Sequence, residues 1–200
     1  MDEIIYPPRL FMNQDVKKFY DKNALAYKEH GSLLLVEILD TFIGDAPQGS
    51  LFLDIGSGVG QDTNYFSEKG FFSVGLDISG EMLRLARNNP HPFIPILGDM
   101  RLPLPFPDGV FDRIWASSSL YTHLEGGELT EALKEVSRVI KNDGVFGGIV
   151  KEDDGTKFSF FSLTKDALSE SLSHFFPNRN IEHFATPDEK KWLFFMGKKE

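Results

Sequence analysis

The chain has 200 residues, with 21 Lys and Arg against 30 Asp and Glu, and a formal net charge of −9. That balance argues against a sequence-blind nucleic-acid binder, whose affinity comes from cations paired with phosphates, and against a polybasic membrane anchor. Without cysteine there is no disulfide, thiolate metal site or thiol nucleophile, while 19 phenylalanines supply a large apolar core.

The opening Met1-Asp2-Glu3-Ile4-Ile5-Tyr6-Pro7-Pro8 is acidic and soon meets prolines, unlike a secretory signal. No apolar run approaches the ~20 residues that cross a bilayer. Both features predict a soluble, cytoplasmic protein. Val16, Phe19, Tyr20, Leu25 and Ala26 share one face of a predicted helix, and residues 33–42 form a second that ends at Gly44, Pro47 and Gly49. The period then changes. Leu51-Phe52-Leu53-Asp54-Ile55 reads as a buried strand entering Gly56-Ser57-Gly58-Val59-Gly60. A helix is expected over residues 61–69, a strand over 71–76, and a helix capped by Ser79 that runs to about Asn88. Further strands are expected over 93–97, 111–116 and 145–150, with an amphipathic helix over 127–140. The proline-rich stretch between residues 97 and 111 is too short for a crossover helix and reads as a loop. A helix over 164–175 and strands over 181–184 and 191–197 complete the chain, the last strand antiparallel at the sheet's C-terminal end.

Strands apolar on both faces, alternating with helices, predict an α/β fold: a doubly wound, mostly parallel sheet covered by helices. We expect one domain, with residues 1–48 as cover helices over the ligand edge, 51–151 as the binding core and 152–200 as a C-terminal helix and strands.

The glycine turn carries the strongest signal. Gly56, Gly58 and Gly60 permit positive φ and remove Cβ atoms where a ligand must approach backbone. A strand that leaves such a turn as a helix forms a crevice at the sheet's carboxyl edge. The dinucleotide pattern G-x-G-x-x-G wants its third glycine one residue later, where Gln61 stands, and Asp54 precedes the first glycine; both features weaken a nicotinamide reading. Asp77, 23 residues beyond Asp54, ends the second strand, where an acid can accept both hydroxyls of a ribose. Asp99, 22 residues further on, ends the third and can accept from the exocyclic amine of an adenine sandwiched by Ile78 and Met100. Taken singly, either acid reads equally as the start of a turn.

Residues 53–60, 75–79, Gly98-Asp99-Met100 with Leu102-Pro103-Leu104-Pro105-Phe106, Phe111-Asp112-Arg113-Ile114-Trp115 and residues 135–141 together resemble the class I S-adenosylmethionine-dependent methyltransferase family, small-molecule branch. The resemblance covers about residues 51–151, and more weakly the opening Phe19 to Tyr27 and the tail. It departs at Asn142-Asp143-Gly144, where the family usually has Pro-Gly-Gly. It implies a Rossmann-like seven-stranded sheet, S-adenosylmethionine as cofactor and a small-molecule methyl acceptor, with no nucleic-acid or membrane partner. Residue by residue, it implies that Gly56, Gly58 and Gly60 contact the methionine part and that Asp54 holds its ammonium, directly or through water. Asp77 would bind the ribose, and Asp99, Met100 and Ile78 the adenine. Ser117 would offer a backbone carbonyl to the methionine amine, and Tyr20 and Tyr27 would close the pocket from above.

Positioning of the acceptor can suffice for methyl transfer. If the acceptor is a hydroxyl, His123 after the fourth strand is the candidate base, since a histidine can titrate near neutrality. His30, His91, His174 and His183 belong to no recognisable constellation, and no cluster suggests a metal. Ser117-Ser118-Ser119 lacks a nucleophile-elbow context. Acceptor contacts are expected from Tyr6, Phe11, Tyr121, Phe158, Phe160 and Phe161, although core packing is the commoner fate of such residues. Two other readings stay open, a protein or RNA methyltransferase and a non-catalytic binder of the cofactor.

Overall fold

The computed structural model describes residues 14–30, 35–152, 163–186 and 190–200. In chain order the elements are α1 (Gln14–His30), α2 (Val36–Ile43), β1 (Leu51–Ile55), α3 (Gln61–Glu68), β2 (Phe72–Asp77), α4 (Gly80–Ala86), β3 (Ile94–Leu97), β4 (Phe111–Ser117), α5 (Leu120–His123), α6 (Gly126–Val139), β5 (Ile140–Lys151), α7 (Lys165–Ser173), β6 (Asn178–Ala185) and β7 (Lys191–Lys198). The strands form one seven-stranded sheet in the order β3-β2-β1-β4-β5-β7-β6. The first five are mutually parallel, and β7 runs antiparallel to both β5 and β6. The final strand is therefore antiparallel as expected, but it lies inside the sheet and leaves β6 at the edge.

Alternation along β1 explains the two layers. Leu53 and Ile55 face a core built with Leu133, Val136, Leu168 and Phe195, on the side of α6 and α7. Phe52, one residue out of phase, joins Leu39, Phe42, Phe66, Phe71 and Trp115 on the side of α2 and α3. That second layer is built largely of aromatic rings: Phe52 stacks on Phe71 at 4.5 Å, and Phe42 meets Trp115 at 4.7 Å. Such ring pairs add to what burial alone contributes.

The structure corrects four details. In α1 the apolar face turns on Ala24, which is buried, whereas Leu25 is 59% exposed; a small residue lets the helix sit close to what lies beneath it. The second helix begins at Val36, and residues 31–34 lie outside the described residues. Helix α5 was not expected, because four residues are too few to show a period. Strand β5 starts directly after α6, and its pairing with β4 shifts between Phe111↔Ile140 and Arg113↔Val145. Asp143, with φ +63, makes that irregularity where a Pro-Gly-Gly turn was absent; aspartate tolerates the left-handed region better than most residues.

The proline-rich segment before β4 is a loop, as expected, and α6 holds it. The Arg138 guanidinium donates to the carbonyls of Leu104 (2.9 Å) and Phe106 (2.8 Å), to Asp108 (2.7 Å) and to Glu135 (2.7 Å). Glu135 in turn accepts from the Leu104 N–H at 2.7 Å. Among the described residues no helix is long and apolar enough to cross a membrane.

Candidate functional site

With the order β3-β2-β1-β4, the carboxyl ends of four parallel strands stand in a row. Asp99 follows β3, Asp77 closes β2, the glycine turn follows β1 and Ser117 closes β4. Four strands thus bring binding residues that are distant in sequence to one edge.

The turn is left-handed at Gly56 (φ +76), Gly58 (φ +54) and Gly60 (φ +76). Its amides are used internally. Gly56 N–H and Ser57 N–H donate to Leu76 O at 2.7 and 3.1 Å, Gly58 N–H donates to Asp77 Oδ2 at 2.8 Å, and Gly60 N–H donates to Ser57 O at 2.8 Å. Those four N–H groups are thereby committed and cannot serve a pyrophosphate, which weighs against the dinucleotide reading. The three glycines differ in surroundings. A Cβ on Gly56 would stand 2.4 Å from Ser119 Cβ, and one on Gly60 would stand 2.5 Å from the Phe93 ring. A Cβ on Gly58 would meet nothing within 4 Å, so there the backbone borders open space. Ser118 has φ +48 and carries the chain off β4, and Ser119 then donates to Ile55 O at 2.6 Å, pressing α5 against the turn.

Three acids lie beneath and beside the turn. Asp54 is buried and accepts from Thr63 Oγ1 at 2.5 Å. Burial, then repulsion by Asp62 and Asp77, pushes its carboxyl well above the usual range against the pull of Thr63. Asp62 accepts from Trp115 Nε1 at 2.8 Å and is also raised by burial. Asp77 is buried and accepts from Gly58 N–H and from Ser79 N–H, both at 2.8 Å; burial raises it and those hydrogen bonds oppose the rise. None of the charges acting most on Asp54 and Asp77 is positive. A crevice of this kind suits a cationic ligand, and the methionine part of S-adenosylmethionine carries an ammonium beside its sulfonium. The open backbone at Gly58 and the uncompensated carboxylates therefore fit that group.

Asp99 is engaged by its neighbour. Arg101 Nη2 reaches Asp99 Oδ2 at 2.5 Å, and Arg101 Nε reaches both carboxylate oxygens at 2.9 and 3.1 Å. Burial works against its charge, but the Arg101 hydrogen bonds and charge outweigh it and hold the carboxyl below the usual range. A purine amine there would share Asp99 with Arg101, using its remaining lone pairs. Ile78 and Met100 are half-buried on either side of this acid in sequence, and Met100 packs against the core.

Helix α1 covers the row. Tyr20, Ala24 and Tyr27 pack against Val59 of the turn and Met82 of α4. The Tyr20 hydroxyl lies 3.0 Å from His123 Nε2, with the two rings edge to face. Burial, then the charge of Arg101, pushes His123 down to about 4, so its imidazole is neutral at neutral pH. Tyr121, expected at the acceptor side, instead lies in the core, with its hydroxyl 3.2 Å from Ser171 Oγ. Tyr6, Phe11, Phe158, Phe160 and Phe161 lie outside the described residues.

Sequence reasoning missed several residues that touch the row. Asp21 of α1 accepts from Ser79 Oγ at 2.7 Å, a contact across 58 residues that no local pattern announces. Asp62 and Thr63 sit in the first turn of α3, where an acid directly after a glycine turn was a usable signal. Arg101, two residues from Asp99, was equally visible.

The fold is that of Rossmann-like methyltransferases. The sequence matches the family described as "Methyltransferase domain" over residues 53–147. An uncharacterised protein of Methanocaldococcus jannaschii is 34% identical over 136 residues, which span 66% of this chain and 49% of that protein. The mouse 18S rRNA (guanine-N(7))-methyltransferase is 35% identical over 106 residues, spanning 53% of this chain and 37% of the enzyme. The crystal structure of Burkholderia thailandensis 1,6-didemethyltoxoflavin-N1-methyltransferase, with bound 1,6-didemethyltoxoflavin and S-adenosylhomocysteine, has a TM-score of 0.76 at 18% identity and covers 98% of this chain and 93% of its own. Residues 53–147 are thus similar to a methyltransferase domain, and the fold is shared with solved S-adenosylmethionine-dependent methyltransferases. The chain spans about half or less of the length of these two curated relatives.

Proposed function

We propose that the chain binds S-adenosylmethionine along the row of strand ends and directs its methyl group to a small-molecule acceptor beneath α1, in the cytoplasm. The observation that carries the reading is the 2.8 Å bond from Gly58 N–H to Asp77 Oδ2, which joins the ribose acid to the glycine turn. When bound, the sulfonium supplies an electrophilic methyl group, so the hard chemistry belongs to the cofactor. The chain's residues bind and orient. The oxygens of Asp77 retain lone pairs for the ribose hydroxyls. The backbone of Gly56, Gly58 and Gly60 receives the methionine part, and Asp54, without a cation of its own, compensates the ammonium. Ser117 offers its carbonyl to the same amine. Asp99, Met100 and Ile78 frame the adenine, and Tyr20 and Tyr27 exclude water from above. His123 is neutral and so can accept a proton from an acceptor hydroxyl, and the Tyr20 hydroxyl is already at hydrogen-bond distance from it.

The acidic balance of the chain supports a small acceptor over a polyanion. An RNA acceptor is the second reading, favoured by the similarity to the mouse rRNA enzyme. Calorimetry with S-adenosylhomocysteine tests the shared premise. The wild type should bind, and Asp77→Ala should weaken binding by ~1–3 kcal/mol through lost hydrogen bonds to a charged group. An unchanged dissociation constant removes Asp77 from the site, and no heat in the wild type removes the cofactor. Labelled-methyl transfer to small-molecule pools and to RNA then separates the two acceptors, and binding without transfer to any of them would indicate a sensor.

A further inference from the structure

Asn89 stands outside the row of strand ends, yet it touches the glycine turn twice. Its Nδ2 donates to Val59 O at 2.8 Å and to Gly60 O at 3.1 Å. Gly60 O is also the first acceptor of α3, taking the Asn64 N–H at 2.9 Å. The two carbonyls that Asn89 holds thus belong to the peptides where the chain passes from the turn into helix. Holding them fixes the peptide planes on either side of Gly60, and with them the backbone that Gly58 presents to open space.

The other end of the Asn89 amide faces the cover helix. Lys28 Nζ donates to Asn89 Oδ1 at 3.2 Å and to Leu85 O, near the end of α4, at 2.9 Å. Seven residues earlier, two helical turns back on the same face, Asp21 accepts from Ser79 Oγ at 2.7 Å and from Glu81 N–H at 3.3 Å, at the start of α4. Helix α1 is therefore fastened along α4 at both ends and cannot slide by a turn without breaking both fastenings. Between them, Ala24 and Tyr27 rest on Val59. The seating of α1 reaches the turn by a polar path, Lys28 to Asn89 to the Val59 and Gly60 carbonyls, and by an apolar path through Val59.

We infer that Asn89 and Lys28 are positioning residues for the cofactor, Asn89 by setting the glycine turn and Lys28 by transmitting the seating of α1 to it. The inference rests on the cofactor reading above for its effect on binding, but not for its effect on the turn. Neither residue is required to satisfy the turn's amides, which already have partners in Leu76, Asp77 and Ser57. Their loss should therefore loosen the turn without unfolding the sheet. By linkage, a seated α1 and a bound cofactor favour each other to the same degree.

The test uses the full chain and two readouts, hydrogen exchange of the segment 56–66 without ligand and the dissociation constant for S-adenosylhomocysteine. Lys28→Met should speed exchange in that segment and weaken binding about two- to tenfold, the net effect of losing its hydrogen bonds to Asn89 and Leu85. Lys28→Arg should restore both. Asn89→Asp keeps an acceptor for Lys28 but loses both donors to the turn, so it should weaken binding more than Lys28→Met does. Arg84→Met, which breaks only an exposed pair with Glu81, is the control and should change neither readout. Wild-type exchange and affinity in Lys28→Met would overturn the inference, as would an Asn89→Asp protein that binds like wild type. If the wild type itself fails to bind, the cofactor reading falls and the exchange comparison still decides: faster exchange in Lys28→Met upholds the strut, and equal exchange overturns it.

Discussion

The three glycines of the turn have different tasks, and adding one methyl group to each separates them. Gly58→Ala places a Cβ at φ +54 with nothing within 4 Å, so its cost to folding is the left-handed backbone alone, ~1–2 kcal/mol. Gly56→Ala incurs the same backbone cost at φ +76 and adds a Cβ 2.4 Å from Ser119 Cβ. Ser119 cannot simply retreat, because its hydroxyl is bonded to Ile55 O at 2.6 Å. Overpacking of that kind adds ~1–3 kcal/mol, for a total of roughly 2–5 kcal/mol. Binding should follow the opposite order among molecules that remain folded. The Gly58 methyl enters the space reserved for the ligand and should weaken S-adenosylhomocysteine binding about tenfold or more, at little cost in stability. Urea denaturation supplies the first quantity and calorimetry below the transition supplies the second. A Gly58→Ala protein with wild-type affinity would show that the open side of the turn is not the ligand's side. A Gly56→Ala protein no less stable than Gly58→Ala would show that the Ser119 contact does not shape the turn.

Acid should act through His123. Its folded pKa of about 4 lies below the ordinary 6.5, so the unfolded chain binds the extra proton first; stability is intact above 6.5 and is lost as pH falls toward 4, by at most about 3 kcal/mol. Denaturation of wild type and His123→Gln across that window should converge toward acid, and parallel curves would refute the shift. The carboxyls of Asp54 and Asp77 carry the opposite sign: they hold protons above the ordinary 3.8, and a bound cation should expel them. Calorimetry of S-adenosylmethionine in two buffers of different ionisation enthalpy should therefore register proton release, with affinity rising as pH climbs through the raised pKa values; no release at any pH at which the protein stays folded would contradict it. Arg138→Met should lower stability by ~1–3 kcal/mol as the loop before β4 loses its hydrogen bonds to Leu104, Phe106 and Asp108, and Arg138→Lys should recover only part, since one ammonium cannot span those acceptors. Equal stability of the lysine variant and wild type would refute that reasoning.

What was legible follows from the range of the interaction involved. The glycine turn, the Ser79 cap on Met82 N–H and the apolar strands could be read because their causes lie within a few residues. Ala24 could not be read as the buried face of α1, since hydropathy favours Leu25 and only the nearness of Val59 and Met82 requires a small residue. The place of β7 between β5 and β6 was hidden for the same reason: strand order is a tertiary fact, and the run over 191–197 reads alike at an edge or inside. Tyr121 was aimed at the acceptor because it follows β4, but α5 turns it under the sheet against Phe195. In the site, the acids at the strand ends and the neighbouring Arg101 were visible, and the contacts made from distant elements were not. Asp21 reaches Ser79 from α1, and Asn89 reaches the turn from beyond α4.

Those acids also explain why the site is built under tension. Asp54 and Asp77 are buried, Asp62 is half-buried, and Asp54 feels both of the others; the forces that relieve them are hydrogen bonds from Thr63, Trp115, Gly58 and Ser79 rather than any cation. A protein selected for stability alone would replace such residues, because burying like charges without a counter-ion costs several kcal/mol. Keeping them is advantageous where the missing positive charge arrives with the ligand, since the relief then appears as binding energy rather than folding energy. The same logic accounts for Arg101, which neutralises Asp99, proposed to face the adenine, a neutral ring, while Asp54, proposed to face the ammonium, and Asp77, proposed to face the ribose, are left without a cation. The distribution of compensated and uncompensated carboxylates along one sheet edge thus mirrors the distribution of charge along the molecule the edge is proposed to hold.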